Sequence, residues 1–246
     1  MPFSFQQRIA RTEELATKHG ETTEILAFFA EILRFQKRVF DDISARSETE
    51  VEALAAYFPD LLALLRRIAP AGLVESGIQL TDSAALRQLL RECWSGVWPD
   101  LWFFGRALVQ PFAESLAARG QIDPQWSKPT CPFCGAGAGV AVLRGEGDGG
   151  KRSLVCSMCS TEWQFRRILC PNCGEEDKEK LPVYIASEFE HVRVEACDTC
   201  KCYIKAVDLT KNGHAIPVVD EIATVPLSIW AEENGYAKLW PNLLSM

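Results

Sequence analysis

Eight of the ten cysteines in this 246-residue chain stand in four CxxC pairs, Cys131/Cys134, Cys156/Cys159, Cys170/Cys173 and Cys197/Cys200. A tight turn between two thiols aims both sulfurs at one point, and two such pairs complete a tetrahedral S4 site suited to zinc or iron. Eight thiols therefore predict two metal sites. The pairs are separated by 21, then 10, then 23 residues. Long, short, long reads as two units in series, the first pair closing with the second and the third with the fourth. Crossed pairing, first with third and second with fourth, is the alternative. Free or redox-active thiols would fit a lone CxxC; four pairs at this spacing favour metal ligation.

Outside the pairs the chemistry is sparse. Cys202 follows Cys200 by two residues and is either a bystander or a spare ligand. Cys93 lies in an apolar helical stretch, where a free cysteine is a small buried residue. His19, His191 and His214 belong to no ligand pattern. There is no Gly-rich phosphate loop, HExxH helix or nucleophile elbow, and carboxylate runs such as 175–179 read as solvated, so the chain is not expected to be an enzyme. Trp94, Trp98, Trp102, Phe103 and Phe104 form the densest aromatic cluster. It reads as core, or as the seam between two halves; the sharper reading is a groove for a partner peptide. Lys151, Arg152, Arg166 and Arg167 place positive charge near the first site.

The elements that must position the thiols fall in two halves. Residues 1 to about 122 carry helical periodicity. From Glu21 to Ile43, Ile25, Phe28, Phe29, Ile32, Leu33, Phe35, Val39 and Phe40 follow i, i+3, i+4, i+7 spacing. A second helix is predicted from about Glu48 to Ala69, broken or kinked at Pro59, and Pro70, Gly72 and Gly77 mark a loop. Thr81-Asp82-Ser83 can cap a third helix reaching Trp94, and Pro99-Asp100 opens a fourth reaching about Arg119, disturbed at Pro111. After the connector GQIDPQWSKPT the helical pattern stops. Short β-type runs follow at 140–143, 153–156, 163–168, 182–185, 191–195 and 203–207, between turns such as GEGDGG at 145–150 and EEDKEK at 175–180. CPFCG at 131–135 returns as CPNCG at 170–174, a period of 39 residues, and the glycine suits a backbone turning back under a metal. The tail from 208 mixes an extended start with a helix from about Ile222 to Asn234, weakened by Pro226.

The fold class is therefore α+β: an N-terminal helical bundle over 1–125, zinc-ribbon-like metal modules over 126–168 and 169–210, and a tail over 211–246 packing on them. Such modules have little core, and a structural zinc ion contributes about 10–16 kcal/mol to the folding of small ribbons. Net charge is −7, and the stretch from 126 onward holds 13 basic and 16 acidic side chains with no basic stripe. This balance disfavours the rival reading, a zinc-ribbon module that binds nucleic acid, as well as attachment to an anionic membrane. No apolar run is long enough for membrane insertion, and the start MPFSFQQRIARTEE lacks an apolar segment after its charges, so a cytoplasmic protein with reduced thiols is expected.

CPFCG at 131, CSMCSTEWQFRRILCPNC at 156–173, EACDTCKCYIK at 195–205 and DEIATVPLSIWAEENGYAKLWPNLL at 220–244 resemble the FdhE family of formate dehydrogenase accessory proteins. The resemblance covers about 129–244; the helical half is similar in character only. Departures are Pro241-Asn242 in place of Asn-Pro, Ser228 in place of Asp, and the extra thiol of Cys202. The resemblance implies rubredoxin-like modules and iron in two sites held by the eight paired cysteines, with zinc as the alternative. It also implies a maturation or chaperone role in the cytoplasm, with the catalytic subunit of respiratory formate dehydrogenase as partner.

Overall fold

The computed structural model describes residues 3–18, 20–146 and 149–245. His19 and the tip of the GEGDGG turn lie outside the described residues. The first half is helical: α1 (Phe5–Lys18), α2 (Thr23–Arg46), α3 (Phe58–Ile68), α4 (Ala71–Ile78), α5 (Ser83–Trp94) and α6 (Trp102–Ala117). The predicted stripe of α2 is the buried one, with Phe29, Ile32, Leu33, Phe35 and Val39 inside. The helix ends where Ser47 turns left-handed and Glu48 N–H bonds back to Ile43 O. Asp82 caps α5 by accepting from Ala84 N–H, as the sequence indicates.

Three local expectations change. Pro59 does not break a helix; it sits in the first turn of α3, where its missing N–H has no intrahelical partner to lose. A 3₁₀ segment over Val51–Tyr57 precedes it. The loop expected after Pro70 is α4, and Gly77 lets it lie close to its neighbours: a Cβ there would meet the Phe104 ring at 2.8 Å. The sequence does not single out α1, since its buried face mixes Phe5 and Leu15 with Arg8, Arg11 and Thr12 and so hides the apolar period.

The second half holds β1 (Ala138–Glu146), β2 (Gly149–Cys156), β3 (Glu162–Gln164), β4 (Val183–Ile185), β5 (Val192–Ala196) and β6 (Cys202–Asp208). Helices α7 (Pro217–Ala223) and α8 (Val225–Glu233) and the short strand β7 (Ala237–Lys238) follow. Thr224 separates the two tail helices, and Pro226 stands in the first turn of α8. The strands form one sheet in the order β3-β2-β1-β6-β5-β4, with β7 also on β6. Each Cys unit supplies the same three-strand order, and the copies meet where β1 runs parallel to β6, Ala141 opposite Ala206. Both sheet faces are covered, consistent with near-continuous apolar strands. Ala141, Leu154 and Ile204 face the helical core together with α6 and α7. Val140, Val142, Val155, Val194 and Val207 pack on the other side with Leu227 and Tyr236. No helix among the described residues is long and apolar enough to cross a membrane.

Buried ion pairs join these elements, and one of them, Arg11–Asp220, crosses from the helical half to the second half. Arg8 donates to Glu114 at 2.7 Å, and Arg11 clasps Asp220 at 2.6 and 3.0 Å, tying α1 to α6 and α7. Lys205 of β6 is fully buried and donates to Glu221 O and Thr224 O, with the Glu221 carboxylate 3.0 Å away. Burial opposes ionisation of Glu221, yet the ammonium groups of Lys205 and Lys238 hold its carboxyl down at about 2. Its contribution is thus present above the unfolded carboxyl range, about 4.3, and is lost as pH falls toward 2. Glu221→Gln is expected to lower the urea unfolding free energy by about 3–5 kcal/mol at pH 7, because two ammonium groups lose their counter-charge. The Lys205→Met/Glu221→Leu double variant should lose less than the sum of its single changes; strict additivity would show that the pair is uncoupled.

Candidate metal centres

Each cysteine pair sits on a turn built by backbone hydrogen bonds. Cys131 N–H bonds to Ala136 O and Gly135 N–H to Cys131 O; Cys170 with Glu175 and Gly174 with Cys170 repeat the pattern. The closing turns match it, Cys156 N–H to Thr161 O and Cys197 N–H to Cys202 O. The residue after the second cysteine is left-handed in all four: Gly135 at φ 75°, Ser160 at 53°, Gly174 at 78° and Lys201 at 54°. Glycine does this freely. Ser160 and Lys201 take a conformation disfavoured for a side chain, and each is held elsewhere. Ser160 Oγ donates to Glu114 at 2.7 Å, and Lys201 bonds Asp198 at 2.7 Å while its carbonyl accepts from Ala237 N–H of β7.

The turns converge in two groups: Cys131, Cys134, Cys156 and Cys159, and Cys170, Cys173, Cys197 and Cys200, all sulfurs of a group lying within 4.8 Å of one another. The crossed pairing is not formed. In the first group Cys134 is 3.4 Å from Cys156 and 3.5 Å from Cys159, and Cys131 is 3.5 Å from Cys159. In the second, Cys170–Cys200 is 3.7 Å and Cys173–Cys197 is 3.6 Å. A tetrahedron with metal–sulfur bonds of about 2.3 Å has edges of about 3.8 Å, so both cages fit one S4-bound ion. Backbone N–H groups of Phe133, Met158 and Asn172 donate to Cys131, Cys156 and Cys170, which favours thiolates. Burial and the neighbouring sulfurs push the Cys156 thiol far above its usual range, so four thiolates in this cage call for a cation among them.

The two cages differ in exposure. In the first, Cys131, Cys156 and Cys159 are buried and Cys134 half-buried; in the second, Cys173 is exposed and Cys200 half-buried. Cys202 stands outside the second group, its sulfur 3.2 Å from Asn172 Nδ2. Cys93 is buried on α5, where a Cβ at Gly105 of α6 would collide with its sulfur. His191 bonds Asp220 at 2.8 Å and serves the helix–sheet seam, and His214 is exposed with no cysteine contact. The expected positive face is mostly committed. Arg152 is buried and reaches from β2 to Glu195 of β5, and Arg166 pairs with Glu176.

The sequence reading missed the polar ladder Arg106, Gln110 and Glu114 on α6. It steps by four residues along one face of an otherwise apolar, buried helix, and that spacing was its signal. Arg106 and Gln110 both donate to Ser157 O, and Glu114 accepts from Ser160. The ladder therefore grips the turn of Cys156 and Cys159 from the helical side.

Family profiles match two parts of the chain, "FdhE, central domain" over 130–167 and "FdhE, C-terminal domain" over 155–245. The chain belongs to the FdhE family. A protein FdhE homolog from Aquifex aeolicus is 29% identical, with 95% of this chain and 93% of that protein aligned. One from Haemophilus influenzae strain PittEE is 26% identical, covering 95% and 85%. The fold matches a crystal structure of the FdhE protein from Pseudomonas aeruginosa, with TM-score 0.76, 24% identity, and 98% and 95% of the two chains covered. The family profiles begin at the connector, where the resemblance was legible in the cysteine motifs.

Unequal burial should make the cages unequally labile. Challenge of the metal-loaded protein with a chelator is expected to release one equivalent quickly and one slowly. Cys170→Ser should abolish the fast phase and Cys131→Ser the slow one, followed by a chromogenic metal indicator; a single phase with both equivalents would refute the asymmetry.

Proposed function

We propose that this chain is a non-catalytic accessory protein for formate dehydrogenase, acting in the cytoplasm on the enzyme's catalytic subunit. What carries the reading is the pair of sulfur cages, each assembled from two CxxC turns, the first locked to a helical frame and the second strapped by the tail, in a chain of the FdhE family. The ligands are Cys131, Cys134, Cys156 and Cys159 for one ion and Cys170, Cys173, Cys197 and Cys200 for the other. The ion is iron, with zinc as the alternative; when bound, each ion crosslinks the two turns of its cage, which have little core of their own. The units follow the boundaries 1–125, 126–168, 169–210 and 211–246.

In this role the chain's own residues hold a surface still. Arg106, Gln110 and Glu114 fix the closing turn of the first module, and Arg152 with Glu195 couples the two modules across the sheet. Residues 237–239 bond to Lys201 and Tyr203, so the tail straps the second module in place. Such a rigid surface suits recognition of an incompletely assembled partner better than turnover.

Tagged protein is expected to co-purify with a formate dehydrogenase catalytic subunit, and a deletion strain to lose formate dehydrogenase activity. No association together with full activity in the deletion strain would reject the proposal. Protein produced without added zinc should be coloured by ferric S4 absorption and carry two iron equivalents; a colourless protein with two zinc equivalents selects the alternative metal.

A further inference from the structure

Between the helical half and the first cage lies a cavity of about 350 Å³, lined by Trp94, Trp98, Trp102, Arg106 and Trp240 and by the turns that carry Cys134 and Ser157. This is large enough for one or two side chains of a ligand. Trp94, Trp98 and Trp102 share no helix: α5 ends at Trp94 and α6 begins at Trp102, after a left-handed Leu101. The segment between the two helices folds them round a space. Trp98 contacts Trp102 at 5.1 Å and Trp240 at 5.3 Å, ring centre to ring centre.

Arg106 is the one ionisable cation in this lining, and it is only 3% exposed. Its guanidinium lies 5.3 Å from the Trp98 ring and 5.1 Å from the Trp102 ring. One terminal nitrogen donates to Pro241 O at 3.2 Å and the other to Ser157 O. Its Nε–H has no hydrogen-bond partner, and it forms no ion pair with a carboxylate among the described residues. Buried charges are ordinarily paired, and an orphaned buried donor is costly. The thiolates of Cys134 and Cys156 offset part of the charge through space but accept none of its N–H groups. None of the four indole N–H groups of the wall has an acceptor within the described residues either. The cavity is thus rich in donors, poor in acceptors and aromatic-walled. Its rim exposes Val97 at 54% and Trp98 at 42%, an apolar border of the kind a polypeptide covers on binding.

We propose that this cavity is a docking site for an acidic–apolar segment of a partner polypeptide, whose carboxylate reaches Arg106 while its apolar neighbours cover Val97 and Trp98. The charge of the guanidinium selects a carboxylate over an amide, and the indoles supply flat apolar area at small entropic loss. The proposal deepens the accessory reading and rests on it, by naming where a partner is gripped. The site adjoins the first cage through Ser157, so integrity of that cage sets the shape of the cavity.

The test titrates the metal-loaded full chain with acetyl-Leu-Phe-Glu-Leu-amide and with its Gln counterpart, reading intrinsic tryptophan fluorescence. The Glu peptide is expected to give a saturable change and to bind at least about tenfold more tightly than the Gln peptide, as for loss of one charged hydrogen bond. Trp98→Glu, which places a carboxylate beside Arg106 within the chain and changes a half-exposed side chain, should abolish the response while metal content and circular dichroism stay unchanged. Arg106→Gln should abolish the preference for Glu over Gln. Equal affinity for the two peptides, no saturable response, or an unaltered response in Trp98→Glu overturns the proposal. So does binding of free 3-phenylpropionate as tight as that of the Glu peptide, which would make the cavity a small-carboxylate site. Association with the catalytic subunit is measured separately. A Trp98→Glu protein that still associates overturns the cavity's role and leaves the accessory function standing, whereas failure of the unaltered protein to associate strikes the function itself.

Discussion

Four thiolates repel one another, and the turns that carry them are short and offer few apolar side chains, so the cages depend on being held from outside. In the first cage the holding is done by α6. Arg106, Gln110 and Glu114 project from successive turns of one buried helix and meet the backbone and side chain of 157–160. Glu114 is in turn met by Arg8 of α1, and Gln36 of α2 donates to Gln110. Three helices are thus committed to the placement of the turn over 157–160. Ser160 can occupy a left-handed conformation that a serine rarely adopts because its hydroxyl is bound at the far end of this network.

The second cage has no such backing, and its strap comes from the tail. Lys201, left-handed like Ser160, is held by β7 and by Asp198, both near the surface. The repeat therefore built two cages of the same backbone design in two dielectric settings. The one packed against helices is nearly sealed. The other exposes Cys173 and stands beside a fifth thiol, Cys202. Exposure lowers the cost of ligand exchange, so any chemistry that needs a cage to open belongs at the second site, while the first serves as a fixed part of the core.

Much of this was legible because its physics is local. Cysteine spacing reports turn geometry, and it gave both cages, their pairing and the internal repeat. The stripe of α2 and the Asp82 cap report contacts within one helix, and both are present in the fold. What was hidden depends on distant partners. The α1 face could not be read because its buried residues are arginines whose carboxylates lie about a hundred and two hundred positions away, at Glu114 and Asp220. The joining of two ribbons into one sheet rests on parallel β1–β6 pairing, and nothing within either strand announces its partner. Pro59 and Pro70 read as breaks in the sequence because proline stops a helix and starts one equally well; only the neighbours decide which.

The buried charges also fix the register of the elements within each half, and at Arg11–Asp220 the register between the halves. Replacing the Arg11–Asp220, Arg8–Glu114 and Lys205–Glu221 pairs by apolar residues of similar volume would often cost little stability. Apolar contacts, however, tolerate sliding, and these pairs do not. Each fixes one helix against another helix or a strand within hydrogen-bond distance, and each loses its value if the register shifts by an ångström. The interface that carries them continues into Arg106, whose guanidinium lies against Trp98 and Trp102 on one side and the Ser157 turn on the other. Any force on the aromatic wall is therefore delivered to the turn of Cys156 and Cys159 through a single rigid side chain. That coupling is what a purely hydrophobic seam would lack, and it makes the state of the first cage and the shape of the cavity two readings of the same geometry.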